Sequence, residues 1–167
     1  MEGELAVVAV ESLSSSSGDG AIGAQRRIAV VAGQSFVHTF RVRYHECDAQ
    51  GIVFNANWFT YFDVALTEWF RVLFGSYGSL AERGSDVVLA ETSARFRGSG
   101  RFDDEIAIAV GVESIGRTSM VVSYTAGRNG ETLVEGRTVY VFVDPATMAK
   151  QAIPDWVREQ LEVYATG

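Results

Sequence analysis

The sequence predicts an α+β domain in which a curved antiparallel sheet wraps around one long central helix. The helix is predicted at residues 56–74, a segment without Gly or Pro that is long enough for about five turns. One run of alternating apolar and polar residues precedes the helix, and four such runs follow it with turn residues between them. Strands in hairpin order beside a single long helix are typical of the α+β class.

The composition indicates a folded protein with an excess of acidic groups. Hydrophobic residues make up 47% of the 167 residues and charged residues 21%, which indicates one globular domain and not a disordered chain. The net charge of −7 argues against a nucleic-acid-binding protein, which normally presents a basic face. No segment reaches the roughly 18 apolar residues of a membrane span, and the N-terminus lacks the basic opening of a secretory signal. We therefore expect a cytoplasmic protein without nucleic-acid or membrane partners.

Cysteine and histidine, the usual ligands of transition metals, are scarce. Cys47 is the only cysteine, so no disulfide can form within the chain, and His38 and His45 are the only histidines. We expect no metal and no cofactor, although a magnesium site built from carboxylates alone stays open. Cys47 adjoins Asp48, but neighbouring residues of an extended chain point to opposite faces. We therefore expect Cys47 to pack in the interior and not to act as a nucleophile.

Residues 1–34 differ in composition from the rest of the chain. The stretch 12–20 is rich in Ser and Gly, as flexible segments are. We expect residues 1–34 to form an N-terminal appendage that takes no part in the chemistry. Residues 35–167 are expected to form the single folded domain.

Alternating residues predict five strands. The first is predicted at residues 36–44, where the side chains at every second position, from Phe36 to Tyr44, share one face. Asn129-Gly130 predicts a tight hairpin between the last two strands. Short helices are expected at residues 79–82 and 155–164. The four later strands are predicted at residues 87–96, 106–112, 120–124 and 133–143.

The predicted central helix carries apolar side chains around most of its circumference. Trp58, Phe62, Ala65 and Trp69 recur at the spacing of one helical face, and Phe59 with other large residues extends the apolar surface to further faces. A helix of this kind must be buried, and one sheet cannot cover all of its sides. We therefore expect a second copy of the chain to cover the remainder in a homodimer.

The segment between the first strand and the helix brings one carboxylate close to the helix start. Asp48 is followed by Gly51, which permits a sharp turn, and by Asn55, the predicted N-cap. The first amides of a helix lack internal partners and carry positive partial charge, so they can hold a developing oxyanion. Alternatively, Asp48 accepts hydrogen bonds from nearby amides in an Asx-turn. Glu46 could pair with Asp48, but we expect it to be solvated at the strand end.

Two motifs resemble those of a known family. Residues 44–54, YHECDAQGIVF, followed by Asn57 and Trp58, resemble the hot-dog fold thioesterases of the 4-hydroxybenzoyl-CoA thioesterase type and related bacterial acyl-CoA thioesterases. A second segment, RFDDEI at residues 101–106, resembles the start of the next long strand in that family. The resemblance covers roughly residues 35–155 and leaves the N-terminal appendage outside.

The resemblance implies hydrolysis of an acyl-CoA to the free acid and CoA, without a metal. Asp48 would act as nucleophile or general base, the Asn55 backbone amide would polarise the thioester carbonyl, and Gly51 would form the turn beside the ligand. It also implies a homodimer with sites at the subunit interface, often paired into a homotetramer. One alternative is a non-catalytic acyl-CoA-binding or assembly module. Another is a hydratase, which would need a histidine after Asp48 that the chain lacks.

Five further residues are candidates for substrate binding. Phe54 and Trp58 could line an aryl pocket, although packing against the sheet is the simpler account. Asp63, near the helix start, could face the active-site cleft or serve the structure alone. Arg95 and Arg97, together with Arg101, surround a Gly-Ser-Gly loop, where they could grip the phosphates of CoA or form a solubilising rim. The alternatives for this role are Arg117, Arg128 and Arg137.

Overall fold

Residues 36–165 are described by the structure, which is a computed structural model. The appendage predicted for residues 1–34 lies outside the described residues, so its role stays a prediction. The described part contains five strands and three α-helices. No helix within residues 36–165 is long and apolar enough to cross a membrane, and the cytoplasmic location stays a prediction.

All five strands belong to one antiparallel sheet. In chain order the strands are β1 (Phe36–Arg41), β2 (Asp86–Phe96), β3 (Glu105–Ile115), β4 (Ser119–Arg128) and β5 (Glu131–Val143). They lie side by side in the order β1-β3-β4-β5-β2, so β1 and β2 form the two edges. The predicted α+β class and the predicted strands are confirmed, and β3 and β4 run further than the alternation alone indicated.

The long helix α1 (Asn57–Phe74) packs against the sheet and contacts β1, β2 and β3. Its Phe62 ring stacks on Tyr124 of β4, with ring centroids 4.7 Å apart. Helices α2 (Ser79–Glu82) and α3 (Asp155–Glu162) lie where short helices were predicted, α3 ending two residues earlier. The arrangement is the predicted one, a curved sheet around one long helix.

Within one subunit, α1 buries one face and not its whole circumference. Seven of its side chains are buried, whereas Phe59, Val64 and Val72 are 37%, 42% and 62% exposed. A single chain therefore leaves part of the apolar surface of the helix uncovered, as expected from the sequence. The homodimer expected to cover the remaining apolar surface stays a prediction.

The first strand is shorter than predicted because the chain leaves the sheet after Arg41. Residues 44–46 form a short 3₁₀ helix in which Tyr44 is 81% exposed. The expectation that Tyr44 continues the apolar face of the strand is therefore wrong. Glu46 stabilises the turn, since its carboxylate accepts the backbone N–H of Arg43 at 2.7 Å.

The predicted hairpin turn at Asn129 and Gly130 joins β4 to β5. Both residues have positive φ angles, 53° and 85°, as a type I′ turn requires. Because Asn and Gly are the residues that adopt this conformation at least cost, the local sequence was sufficient to predict the turn.

The contact between Phe62 and Gly136 provides a test of how closely α1 approaches the sheet. A Cβ atom added to Gly136 of β5 would lie 2.4 Å from the Phe62 ring. The stacking of Phe62 on Tyr124 leaves that ring little room to move. We expect Gly136→Ala to lower the free energy of unfolding by about 1–3 kcal/mol, the usual cost of overpacking a core. Urea unfolding followed by tryptophan fluorescence measures the change.

Gly78→Ala is the matched control for this substitution. A Cβ atom there would meet only the flexible side chain of Glu82, at 3.8 Å. We expect a change below about 0.5 kcal/mol, as at ordinary surface positions. Equal losses in the two variants would contradict the close approach of α1 to β5.

Candidate active site

A tight hairpin between β1 and α1 carries Asp48 at its tip. The two arms of this hairpin, on either side of Asp48, are joined by the Phe54 N–H, which donates to the Glu46 carbonyl at 2.9 Å. The Asp48 N–H donates to the Ile52 carbonyl at 2.9 Å, and the Gly51 N–H donates to the Asp48 carbonyl at the same distance. Gly51 has a φ angle of 73°, which glycine adopts without strain. Gly51 thus forms the sharp turn beside the carboxylate.

The two carboxylate oxygens of Asp48 have different surroundings. Oδ1 accepts the Gln50 N–H at 2.8 Å, which is the Asx-turn that the sequence left open as an alternative role. Oδ2 has no hydrogen-bond partner among the described residues. The turn therefore uses one oxygen of the carboxylate and leaves the other available to a ligand.

A cavity of about 240 Å³ opens beside Asp48. Asn55, Phe54 and Trp58 line this cavity with Asp48, and Phe96 of β2 contributes from the facing edge strand. Phe54 and Phe96 are each 50% exposed, whereas Trp58 is 2% exposed and presents only part of its ring. The structure thus brings together four of the residues that the sequence analysis singled out.

Asn55 was predicted to be the N-cap of the helix, and this prediction is wrong. The helix begins at Asn57, the N-cap position is Ala56, and no side chain caps it. Instead, the Asn57 side chain donates through Nδ2 to the Glu46 carbonyl at 2.8 Å. The backbone N–H groups of Asn55 and Ala56 have no acceptor among the described residues. Two unpaired amide donors therefore precede the first turn of α1.

A second cavity, of about 410 Å³, lies on the other side of the hairpin. Tyr44 and Phe102 line it, with their rings edge to face and their centroids 5.8 Å apart. Asp48 lines both cavities, whereas Cys47 lines only this one. Cys47 also packs against the core as a half-buried side chain, which agrees with the packing role expected for it.

Glu46 is buried, and the expectation that it is solvated is therefore wrong. Only 9% of the residue is exposed, and its carboxylate accepts a hydrogen bond from the Tyr61 hydroxyl, with the two oxygens 2.8 Å apart. Burial, and then the hydrogen bond to Glu46, raise the pKa of Tyr61 well above its usual value. This contact could not be predicted, because no local pattern pairs residues 46 and 61, which meet only once α1 has packed.

Three of the candidate binding residues lie away from the first cavity. Arg95 is paired in register with Glu135, and Arg97 donates to the Glu135 carboxylate at 3.0 and 3.1 Å. Because side chains alternate along a strand, Arg95 lies on the opposite face of β2 from Phe96, and Arg97 directly follows the strand. Asp63 is exposed on α1 and lines neither cavity described above. The roles of these three residues stay predictions.

The second motif, residues 101–106, contains a carboxylate that holds the neighbouring loop. The Asp104 side chain accepts the Arg101 N–H at 2.7 Å and also contacts the Arg128 guanidinium. Arg101 itself has no ion-pair partner within residues 36–165. The described part of the chain contains no group of three His, Cys, Asp or Glu side chains arranged to hold a metal ion.

Known proteins provide three comparisons with this chain. The family model described as the thioesterase superfamily matches residues 50–135, just over half of the chain. The chain is 32% identical over 116 residues to the acyl-CoA thioester hydrolase YbgC of Escherichia coli O157:H7, covering 68% of this chain and 86% of that protein. A solved hypothetical protein from Aquifex aeolicus superposes with a TM-score of 0.71 at 28% identity, covering 75% of this chain and 98% of that one.

A further solved structure, the DHNA-CoA thioesterase of Staphylococcus aureus, is similar in fold. It superposes with a TM-score of 0.70 at 21% identity, covering 78% of this chain and 88% of that one. The hot-dog fold expected from the motifs is therefore confirmed. The family model and the relative YbgC also confirm thioester hydrolysis as the reaction class of the family. On the match of the family model and the identity to YbgC, the chain belongs to the thioesterase superfamily.

Proposed function

We propose that this protein hydrolyses an acyl-CoA thioester in the cavity beside Asp48. The observation that carries the proposal is the free Oδ2 atom of Asp48 in this cavity. Asn55, whose backbone N–H has no acceptor among the described residues, lines the same cavity just before α1. A thioester needs both a group that attacks or activates water and a donor for the charge that develops on its carbonyl oxygen. The relative YbgC, an acyl-CoA thioester hydrolase, supports the choice of substrate class.

Asp48 can act in either of two ways. As a nucleophile, its free oxygen bonds to the acyl carbon while the carbon–sulfur bond breaks, so CoA leaves as the thiolate and water then hydrolyses the mixed anhydride. As a general base, it takes a proton from the water molecule that attacks the carbonyl, and the carbon–sulfur bond then breaks so that CoA leaves as the thiolate. In both routes the Asn55 N–H donates to the carbonyl oxygen as it becomes negative. Rapid quenching and mass spectrometry distinguish the routes, because only the first leaves an acyl group on the peptide that contains Asp48.

The charged end of CoA would bind outside this cavity. Arginine side chains grip phosphates well, and Arg95, Arg97 and Arg101 flank the Gly98–Gly100 loop whose first residues line the cavity. Glu135 neutralises part of the charge of Arg97. Arg95 and Arg101 have no ion-pair partner among the described residues, so we assign the phosphate contacts chiefly to them.

The same fold leaves surfaces that suit a homodimer. The edge strand β2 carries Leu89, which is 55% exposed, and Phe96, which is 50% exposed. An unpaired sheet edge with exposed apolar residues readily pairs with another chain. Phe59 and Val64 of α1 add apolar surface that a partner could bury. We propose a homodimer in which these surfaces meet, and a homotetramer as the further assembly that the family resemblance implies.

Replacing Asp48 tests the reaction and its central residue together. We expect the wild type to release free thiol from at least one of acetyl-, decanoyl- and benzoyl-CoA. Asp48→Asn removes the charge and the nucleophilic oxygen but keeps the Oδ1 acceptor of the Asx-turn, so kcat should fall by about 10²–10⁴-fold. Asp155→Asn, at an exposed position of α3, is the control and should leave kcat unchanged. An Asp48→Asn variant with wild-type turnover would contradict the assignment, and binding without turnover by the wild type would favour the binding-module alternative.

Replacing Asn55 tests its backbone amide separately from its side chain. Asn55→Pro removes the N–H, which has no acceptor in the described structure, and no helical hydrogen bond is lost because residue 55 precedes the N-cap Ala56. We expect kcat to fall by roughly 10²–10³-fold, the usual effect of losing one oxyanion donor. Asn55→Ala keeps the N–H and should retain kcat within about threefold. If the alanine variant loses as much activity as the proline variant, the side chain and not the amide is the active group.

Removing an unpaired arginine tests the proposed phosphate contacts. We expect Arg95→Ala and Arg101→Ala to raise KM for the acyl-CoA by about three- to tenfold without changing kcat, since each removes one charge–phosphate contact. Arg117→Ala, which removes an equal charge from the β3–β4 turn, should leave KM unchanged. The N-acetylcysteamine thioester of the same acid lacks the nucleotide, so its KM should not respond to any of the three substitutions. A response with this truncated substrate would rule out a phosphate contact.

A further inference from the structure

We propose that Glu46 is a positioning residue that holds the Asp48 hairpin against the start of α1 and so sets the geometry between Asp48 and the Asn55 amide. The inference rests on the proposed function, because it concerns the same site. Glu46 lines neither cavity, so it acts on the reaction only through the groups that it holds. Its hydrogen bonds connect three segments that are separate in the sequence.

The carboxylate of Glu46 receives donors from both sides of the site. Its Oε2 atom accepts the Arg43 N–H at 2.7 Å and the Tyr61 O–H at 2.8 Å. Its Oε1 atom has only the Arg43 guanidinium, at 3.4 Å, and that side chain is 73% exposed. Oε2 therefore joins the turn before the hairpin to the second turn of α1, while Oε1 makes the weaker, solvated contact.

The main chain of Glu46 holds the same two elements together. Its carbonyl accepts the Phe54 N–H at 2.9 Å and the Nδ2–H of Asn57 at 2.8 Å. Phe54 directly precedes Asn55, and Asn57 is the first residue of α1. The hairpin is thus closed by a residue that also fixes the helix start, which leaves little freedom between Asp48 and Asn55.

Burying the Glu46 carboxylate costs free energy, which the hydrogen bonds of this linkage offset. A buried carboxylate loses its hydration, and only hydrogen bonds from well-placed donors offset that loss. Glu46 is the only charged residue among the buried ones in residues 36–165. Its partner Tyr61 keeps its proton across the working pH range, because burial and the hydrogen bond to Glu46 raise the pKa of that hydroxyl. The Tyr61 hydroxyl therefore remains a hydrogen-bond donor to Glu46.

Three substitutions separate positioning from a direct chemical role. Glu46→Met keeps the length of the side chain but removes both acceptors, and we expect it to lower kcat by roughly 10- to 100-fold, the effect of a misplacement of about 1 Å. Tyr61→Phe removes the link to the helix alone and should lower kcat by about three- to tenfold. Glu46→Gln can place its amide oxygen where Oε2 lies, so it should keep kcat within about threefold. KM should change less than about threefold in all of them, because the substrate cavity is untouched.

The measurement uses whichever of acetyl-, decanoyl- and benzoyl-CoA the wild type hydrolyses fastest. Tyr124→Phe is the control, since it also removes a buried hydroxyl, one that lies 3.4 Å from the Tyr140 hydroxyl and away from the hairpin. It should leave kcat unchanged even where it lowers the free energy of unfolding. The double variant Glu46→Met/Tyr61→Phe should be no less active than Glu46→Met alone, because both changes break the same link.

The single thiol of Cys47 gives a second readout that does not require turnover. Cys47 lies inside the hairpin between Glu46 and Asp48, so loosening of the hairpin exposes it to a disulfide reagent such as dithiobis(nitrobenzoate). We expect labelling to accelerate by about fivefold or more in Glu46→Met and Tyr61→Phe, and to stay at the wild-type rate in Glu46→Gln and Tyr124→Phe.

The outcomes separate this inference from the proposed function. An inactive wild type in which Glu46→Met still accelerates labelling would overturn the proposed function and leave the hairpin linkage standing. An active wild type whose Glu46→Gln variant is as impaired as Glu46→Met would overturn the positioning role, because the carboxylate charge itself would then be needed. Unchanged kcat and unchanged labelling in Tyr61→Phe would overturn it as well.

Discussion

The structure depends on the close packing of α1 against two glycines, Gly100 and Gly136. Trp58 and Phe62 lie one helical turn apart, and each rests on a glycine. A Cβ atom would lie 3.3 Å from the Trp58 ring at Gly100 and 2.4 Å from the Phe62 ring at Gly136. The two rings pack against positions without side chains, Gly136 in β5 and Gly100 in the loop between β2 and β3, and so hold the helix close to both. The register of the helix start follows from this contact.

The same approach connects the helix to the Asp48 hairpin. The Val53 N–H donates to the Gly100 carbonyl at 2.8 Å, so the hairpin is joined to the very residue on which Trp58 rests. Asp48 and Asn55 therefore lie at one cavity because two loops and one helix share a single packing site. The chemistry proposed for these residues needs fixed distances. Here the packing of Trp58 against Gly100 and the hydrogen bonds of Glu46 both hold the hairpin against the helix start.

The sequence was most informative where structure is determined locally. The Asn129-Gly130 turn, the long helix and the alternating strands depend on neighbouring residues, and all three were predicted. Glu46 was misjudged because its burial depends on Tyr61, fifteen positions along the chain. The location of Arg95 could have been predicted, since it alternates with Phe96 and so must lie on the opposite face of the strand from it. The N-cap was misjudged because Asn57, and not Asn55, makes a side-chain contact at the helix start.

The two roles considered for Asp48 are compatible in this geometry. An Asx-turn occupies one carboxylate oxygen, and here Oδ1 accepts the Gln50 N–H at 2.8 Å. That bond restrains the side chain, so the conformational entropy of holding Oδ2 in one direction is already lost before a substrate binds. A carboxylate free to rotate would have to lose this entropy during the reaction. The turn that appeared to be a structural alternative to catalysis is thus a means of orienting the oxygen proposed to carry it out.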